Sequence, residues 1–265
     1  MKIGFIGLGN MAGAMIGGML EKKLVAAEDI VGSAKTTATR DKIKSRFKIN
    51  IVETNVEVAK QADILFLAVK PIFLGEVIGE IRADVKAGAL VVSIAAGRDL
   101  HFLKEAFGRP ELKIIRCMPN TPALVLEGCT GICSGEEVPQ ADLDQIVELM
   151  ESFGKASVVP ERLMDVVVGV SGSSPAYVFM FIEAMADEAV AAGMPRKQAY
   201  EFAAQAVLGS AKMVLETGMH PGVLKDMVCS PGGTTIQAVK VLEEKGMRAA
   251  VMDAMEACIE KSKSL

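Results

Sequence analysis

The chain has no tryptophan, two histidines, two tyrosines and no run of lysine or arginine. Aromatic residues make up 5% of its 265 residues, yet 51% are hydrophobic, so alanine, valine, methionine and glycine supply most of the apolar surface. Such side chains suit closely packed helices and extensive subunit interfaces. The net charge of −4, without a basic tract, argues against nucleic acids and anionic membrane surfaces as partners.

Cysteine is also sparse, and its number is odd: the five are Cys117, Cys129, Cys133, Cys229 and Cys258. Cys129 and Cys133 form a CxxxC pair, but no histidine or second cysteine pair lies nearby to complete a tetrahedral metal site. We therefore expect no metal, and we expect buried, reduced thiols in a protein of the reducing cytoplasm.

The most apolar stretch near the start is GFIGLGNMAGAMIGGML, residues 4–20. A signal peptide or membrane anchor is one interpretation, with Ala26 and Ala27 as a weak cleavage site. The six glycines of this stretch disfavour such a helix, because each costs about 1 kcal/mol relative to alanine. Since no other apolar run reaches the roughly 18 residues of a membrane span, we expect no membrane segment.

Short apolar runs alternate with helix-like segments through residues 1–159. The runs are continuously apolar, as in parallel strands that are covered on both faces. This rhythm predicts an α/β fold with a doubly wound, mostly parallel sheet. The predicted strands are 2–6, 29–33, 49–53, 63–69, 89–95, 112–118, 128–134 and 155–159, and the predicted helices include 72–82, 100–107 and 140–153.

The pattern changes after Pro160, where we predict a domain boundary. Residues 160–265 carry helical patterns at 174–192, 196–217, 234–244 and 247–261. The segment 175–182 is apolar all round, which indicates burial in a bundle or against another subunit. The predicted organisation is a dinucleotide-binding α/β domain, 1–159, followed by an all-helical domain, 160–265.

The dinucleotide assignment comes from the motif Gly7-x-Gly9-x-x-Ala12, which lies between the first predicted strand and a helix. Gly7 permits a tight turn, Gly9 lets the backbone approach a pyrophosphate, and Ala12 lets the helix lie close to the sheet. The free N–H groups at the start of that helix favour phosphate. A packing turn without a ligand is the alternative, but the strand rhythm favours a nucleotide site.

The end of the second predicted strand bears on the choice of cofactor. An NAD site usually has an acidic residue there, which holds the ribose 2′-hydroxyl. Here Glu28 and Asp29 precede the strand, and its end offers Ser33, Lys35 and Thr36. Hydroxyls and a cation suit a 2′-phosphate, so we predict NADPH as the preferred cofactor and NADH as the alternative. A solvated loop lysine is the other interpretation of Lys35.

Further motifs follow the strand ends and continue into the helical part. They are AVKP at 68–71, SIAAG at 93–97, RCMPNTP at 116–122, GVSGSSPAY at 169–177, HPG at 220–222 and CSPGGTT at 229–235. Together they resemble the pyrroline-5-carboxylate reductase family, whose members reduce a five-membered cyclic imine acid with NAD(P)H in the last step of proline synthesis. The resemblance implies an N-terminal Rossmann-type domain and a helical C-terminal dimerisation domain, in some members within a ring of dimers.

The resemblance also implies site residues. For the cofactor they are Ile6, Gly7, Leu8, Gly9, Asn10, Met11, Ala12, Ser33, Lys35, Asn55, Ala68, Val69, Lys70, Pro71, Ala95, Ala96 and Gly97. For the substrate they are Ser230, Gly232, Gly233, Thr234 and Thr235, with Thr235 as the catalytic residue beside the ring nitrogen. A Pro-Gly-Gly-Thr-Thr turn that enters a helix offers N–H groups to a carboxylate. On local sequence alone, a helix N-cap by Ser230 or Thr234 explains the same turn.

Other activities fit the residues less well. His101 lies in a predicted surface helix, and His220 stands at a helix start before a Pro-Gly pair, where we expect capping or packing. Neither is expected to act as an acid–base catalyst. β-Hydroxyacid dehydrogenases open with a similar motif, but they need a lysine on the helix 174–193, which has no lysine, histidine or arginine. A non-catalytic nucleotide-binding relative would show degraded motifs, and MPNTP, SSPAY and SPGGTT are intact. The sequence does not decide whether the protein forms a dimer or a ring of dimers, which ring size the imine substrate has, or how Met227 affects substrate affinity.

Overall fold

The computed structural model describes residues 1–264. The strands are β1 (Ile3–Ile6), β2 (Ile30–Ser33), β3 (Asn50–Ile51), β4 (Ile64–Leu67), β5 (Leu90–Ser93), β6 (Lys113–Met118), β7 (Gly128–Ser134) and β8 (Gly154–Val158). The helices are α1 (Asn10–Glu21), α2 (Thr37–Phe47), α3 (Asn55–Gln61), α4 (Pro71–Ile81), α5 (Leu100–Phe107), α6 (Gln140–Glu151), α7 (Met164–Val167), α8 (Ser174–Ala191), α9 (Arg196–Thr217), α10 (Pro221–Val228), α11 (Thr234–Glu244) and α12 (Met247–Lys263).

The strands form one eight-stranded sheet in the order β3-β2-β1-β4-β5-β6-β7-β8. Neighbouring strands pair in parallel except β6 and β7, which are antiparallel. In β1, Ile3 lies opposite both Ile30 of β2 and Ile64 of β4. The chain therefore builds the sheet outward from β1 in one direction and from β4 in the other. The predicted doubly wound, mostly parallel sheet is confirmed.

Helices cover both faces of this sheet, which explains the continuous apolar runs. Every residue of β1, β2, β4 and β5 is buried. On one face, Phe5 and Phe66 stack with their ring centroids 4.8 Å apart. On the other face, Ile6 and Leu67 pack against α4 and α5 residues such as Leu74.

Polar side chains set the starts of several helices. The hydroxyl of Thr36 caps α2, Asp99 caps α5, and Thr54 with Glu57 forms a capping box at α3. The observed β3 is shorter than the predicted strand 49–53, because it is the edge strand and pairs only with β2.

The predicted helices of residues 160–265 are confirmed as α8, α9, α11 and α12. The helix start expected after His220 is confirmed as α10, which begins with Pro221 at its first position, although the extent of this helix was not predicted. His220 caps this helix, because its Nδ1 accepts a hydrogen bond from the Gly222 N–H at 3.0 Å. His101 lies exposed on α5, within 3.3 Å of Glu105. Both histidines therefore have the structural positions expected of them.

The chain divides into two compact units, Met1–Ser173 with the end of α12 from Cys258, and Ser174–Ala257. Within the first unit, the Ser262 hydroxyl donates to Asp165 Oδ1 at 2.6 Å and ties the end of α12 to α7. These two units are defined by how the chain packs, not by function. The functional boundary between residues 159 and 160 stays a prediction.

Apolar side chains are exposed along the helices of the second unit. Phe179, Met180 and Phe202 are 61%, 69% and 63% exposed. By length and composition alone, the helical stretch Glu161–Ala191 could cross a membrane, and 11% of its most apolar window is buried. The stretch qualifies by its average hydropathy and not by an unbroken apolar run, so the expectation of no membrane segment stays a prediction. Composition does not separate such a span from a helix that packs against another subunit.

All five cysteines are free. Cys117 and Cys133 are buried, and burial raises the pKa of the Cys133 thiol to about 11. Cys129 is exposed, contrary to expectation, although its neighbours Gly128 and Thr130 in β7 are buried. Cys229 and Cys258 are half-buried. Among the described residues, no group of three or more histidine, cysteine, aspartate or glutamate side chains could hold a metal ion.

Candidate cofactor and substrate sites

The turn after β1 requires glycine at its first position. Gly7 has a φ of +91°, and its N–H donates to the Ser33 carbonyl oxygen at 3.0 Å. A Cβ on Gly7 would lie 2.5 Å from the carbonyl oxygen of Ala68, just after β4. Gly7 therefore joins the ends of β1, β2 and β4, where the strand order reverses and where such sheets bind ligands.

Helix α1 has an open N-terminus. Its N-cap is Gly9, no side chain caps it, and its first turn contains no acidic residue. A Cβ on Gly9 would meet no atom within 4 Å. Ala12 is 1% exposed and lets α1 lie close to the sheet. The uncapped N–H groups and the helix dipole make a phosphate site, so these residues fit a cofactor that carries a pyrophosphate.

A cleft of about 380 Å³ opens beside this turn, within the first unit. It is lined by Gly7, Ala34, Lys35, Glu53, Thr54, Asn55, Val69, Phe73, Glu76, Val77 and Glu80. Four predicted cofactor residues, Gly7, Lys35, Asn55 and Val69, thus meet in one cleft. The Lys35 ammonium lies 5.8 Å from the ring centroid of Phe73. The glutamates of this lining are not among the predicted residues.

Ser33 is connected to the cleft through Asn55. Ser33 ends β2 and is 1% exposed, and its hydroxyl donates to Asn55 Oδ1 at 2.7 Å. The Asn55 side chain in turn donates from Nδ2 to Glu80 Oε2 at 2.7 Å. These two hydrogen bonds hold both ends of the Asn55 amide at the edge of the cleft.

Other predicted cofactor residues lie at the ends of β4 and β5. Lys70 is the N-cap of α4, and Pro71 occupies its first position. Ala95 is 6% exposed, and Gly97 has a φ of +67°. Gly97 lines a separate cavity of about 230 Å³ with Arg98 and other residues. The predicted residues outside the lining of the first cleft are Ile6, Leu8, Gly9, Asn10, Met11, Ala12, Ser33, Ala68, Lys70, Pro71, Ala95, Ala96 and Gly97.

Buried polar contacts give the motif RCMPNTP a structural role that the sequence did not indicate. Arg116 is 8% exposed in its side chain, and its Nη1 donates to Glu161 Oε1 at 2.7 Å. The same oxygen accepts from the Leu100 N–H, also at 2.7 Å. Asn120 donates to the Ser171 carbonyl oxygen at 2.9 Å. The partners of Arg116 and Asn120 are 45 and 51 residues away, so no local pattern reveals them.

The predicted substrate residues lie in the second unit: Ser230, Gly232 and Gly233 are in the turn between α10 and α11, and Thr234 and Thr235 begin α11. Gly232 has a φ of +69°, and the Gly233 N–H donates to the Ser230 carbonyl oxygen at 3.0 Å. The N-cap of α11 is Gly233, without a side-chain cap, so the alternative of an N-cap by Ser230 or Thr234 is wrong. A Cβ on Gly233 would lie 2.5 Å from Ser230 Oγ. The first N–H groups of α11, including that of Thr235, therefore remain uncapped and suit an anion.

The sheet, the turn at Gly7 and the cleft define a Rossmann-type dinucleotide-binding protein with a helical C-terminal part. Comparisons agree, since residues 2–97 match the family described as NADP oxidoreductase, coenzyme F420-dependent, and residues 161–265 match pyrroline-5-carboxylate reductase dimerisation. The pyrroline-5-carboxylate reductase of Escherichia coli (strain K12) is 55% identical over 264 residues, with 100% of this chain and 98% of that protein covered. This chain belongs to the pyrroline-5-carboxylate reductase family.

Solved structures give the same result. The Plasmodium falciparum pyrroline carboxylate reductase with NADP bound has a TM-score of 0.91 and 33% identity, covering 99% of this chain and 97% of that one. The 1-pyrroline-5-carboxylate reductase of Streptococcus pyogenes has a TM-score of 0.90 and 33% identity, covering 100% and 99%. These findings confirm the family resemblance and the predicted fold class.

Proposed function

We propose that this chain reduces L-1-pyrroline-5-carboxylate to L-proline, the last step of proline biosynthesis, with NADPH as the preferred cofactor and NADH as the alternative. The observation that carries the proposal is the 55% identity over the full chain to a reductase of that name. The open start of α1 and the cleft beside Gly7 support a dinucleotide cofactor. The NADP-bound relative supports the phosphorylated form.

The residues of the first unit bind the cofactor. The uncapped first turn of α1 receives the pyrophosphate, and the cleft with Lys35 and Asn55 receives the adenosine end. Lys70–Pro71 and Ala95–Gly97 follow β4 and β5, and we assign them to the nicotinamide side. When bound, the cofactor supplies a hydride to the carbon of the substrate C=N bond.

The turn before α11 binds and orients the substrate. The substrate carboxylate accepts hydrogen bonds from the uncapped N–H groups that follow Gly233, with Ser230 and Thr234 beside it. Thr235 is the catalytic residue and hydrogen-bonds the ring nitrogen, which keeps its proton as the amine forms. A protonated imine is already electrophilic, so positioning by this turn can supply several kcal/mol of the reduction in barrier.

We propose a homodimer formed through the helical domain 160–265, because this segment matches a dimerisation domain and exposes apolar side chains. A ring of dimers is the larger assembly that the family resemblance offers, and light scattering at several concentrations distinguishes the two. We place the enzyme in the cytoplasm as a soluble protein, without nucleic acid or membrane partners. The apolar stretch Glu161–Ala191 then packs against a second subunit.

The test follows cofactor oxidation by absorbance, with L-1-pyrroline-5-carboxylate and either NADPH or NADH, and identifies proline as the product. Thr235→Val should lower kcat by tenfold or more, and Thr235→Ser should recover most of it, because serine retains the hydroxyl. His101→Asn, an exposed substitution on α5, should leave kcat unchanged. Cofactor binding without turnover of the five-membered imine would refute the assignment, and turnover of only the six-membered imine would change the substrate.

A further inference from the structure

The cleft beside Gly7 contains charges of both signs. Lys35 follows the end of β2, whereas Glu76 and Glu80 come from α4 and Glu53 precedes α3. A lysine favours the 2′-phosphate of NADPH, while a carboxylate disfavours it by repulsion between like charges. The acid that NAD sites usually place at the end of β2 is absent from that strand, yet acidic groups reach the same cleft from elsewhere.

Glu80 is the glutamate with a defined position relative to β2. Its Oε2 accepts from Asn55 Nδ2 at 2.7 Å, and Asn55 Oδ1 accepts from the hydroxyl of Ser33, the last residue of β2, at 2.7 Å. A carboxylate is an acceptor only, so Glu80 sets the orientation of the Asn55 amide. Two hydrogen bonds therefore connect the Glu80 carboxylate to the strand end that carries the acid in NAD sites.

This carboxylate can also contact a ligand. It has two oxygens with about four acceptor positions, and the bond from Asn55 uses one of them. Glu80 is exposed and lines the cleft. A ribose 2′-hydroxyl can donate to such a group, whereas a 2′-phosphate cannot donate when fully ionised and is repelled.

We propose that Glu80 is a specificity-determining residue for the cofactor: it takes the place of the acid missing from β2, accepts a hydrogen bond from the 2′-hydroxyl of NADH, and lowers the preference for NADPH. This inference rests on the proposed function, because it concerns the cofactor of that reaction. Lys35 and Glu80 thus act in opposite directions within one cleft, and the enzyme accepts both cofactors.

The experiment measures the dissociation constants of NADPH and NADH by fluorescence titration without substrate, for the wild type, Glu80→Ala and Glu76→Ala. Both positions are exposed on α4, where alanine favours the helix, so both variants should fold. Glu80→Ala should raise the ratio of the NADH constant to the NADPH constant about tenfold, because it removes an acceptor for one cofactor and a repulsion for the other. Glu76→Ala, one helical turn earlier in the same cleft, should change this ratio less than about twofold.

Glu80→Gln distinguishes the effect of the negative charge from that of the hydrogen-bond acceptor, because glutamine keeps an acceptor and loses the charge. It should tighten NADPH as Glu80→Ala does, but weaken NADH less. An unchanged ratio in Glu80→Ala, or an equal change in Glu76→Ala, would overturn the inference. A separate turnover assay with L-1-pyrroline-5-carboxylate tests the proposed function, since the binding constants do not depend on the substrate.

Discussion

Replacement of Gly7 and of Gly9 by alanine should affect different properties: the first should lower stability, and the second should weaken cofactor binding. At Gly7, φ is +91° and the new Cβ would lie 2.5 Å from the Ala68 carbonyl oxygen, so the backbone has to move. The left-handed conformation costs alanine about 1–2 kcal/mol, and relief of the overlap costs about 1–3 kcal/mol more. Gly7→Ala should therefore lower the free energy of unfolding by roughly 2–5 kcal/mol.

At Gly9 the folded chain leaves room for a side chain. The new Cβ would meet no atom within 4 Å, and φ is −72°, which alanine adopts without strain. Alanine is a weaker N-cap than glycine, so the expected loss of stability is below about 1 kcal/mol. The methyl group would instead occupy the space in front of the α1 N–H groups, and NADPH should bind at least about tenfold more weakly.

The assays are urea unfolding without cofactor and fluorescence titration with NADPH. Gly79→Ala on α4 is the matched control, because its Cβ also meets no atom within 4 Å. It should raise the free energy of unfolding by about 0.5–1 kcal/mol, because alanine favours a helix interior more than glycine does. It should leave NADPH binding unchanged. If Gly9→Ala binds NADPH like the wild type, or unfolds as easily as Gly7→Ala, the assignment of the pyrophosphate to the start of α1 is refuted.

Further predictions concern thiols, acid and a buried ion pair. In the folded protein, the exposed Cys129 should react first with iodoacetamide, as mapped by mass spectrometry, while the buried thiols react only after unfolding. The hydrogen bond from Lys86 lowers the pKa of Asp63, so this carboxylate stabilises the fold above its unfolded pKa and ceases to do so as pH falls through the folded pKa. Asp63→Asn should accordingly lower stability at pH 7, as measured by urea unfolding, and make no difference near pH 2. Glu161→Ala should cost about 2–3 kcal/mol in thermal and urea unfolding, since it leaves the buried Arg116 unpaired.

The sequence predicted most of the sheet because its signals are local. The strands are buried on both faces, so each reads as an unbroken apolar run, and the turn at Gly7 follows the first run directly. The motif predicts a glycine at position 7, but it does not reveal that the Ala68 carbonyl oxygen is the atom that leaves no room for a side chain. Edge strand β3 was overestimated, because only Asn50 and Ile51 pair with β2, its single neighbour in the sheet.

The missed parts of the site depend on contacts between distant residues. Glu80 lies 25 residues from Asn55, on an exposed face of α4 where a glutamate is usually only solvated. The partner of Arg116 is 45 residues away, in the segment that leads to the helical part. The N-cap of α11 also escaped prediction, because Gly232 adopts a positive φ and the turn then leaves Gly233, rather than a hydroxyl residue, at the helix start.

The same reasoning explains the unusual composition of the second unit. Its helices expose large apolar side chains such as Phe179, Met180 and Phe202, and burial of the exposed part of each would contribute about 1–2 kcal/mol. Residues 161–265 match a dimerisation domain, so we expect a second subunit to cover these side chains. The proposed substrate turn between α10 and α11 belongs to this unit, whereas the cofactor cleft belongs to the other. The proposed substrate residues therefore depend on a unit whose packing we expect to be complete only in the proposed homodimer.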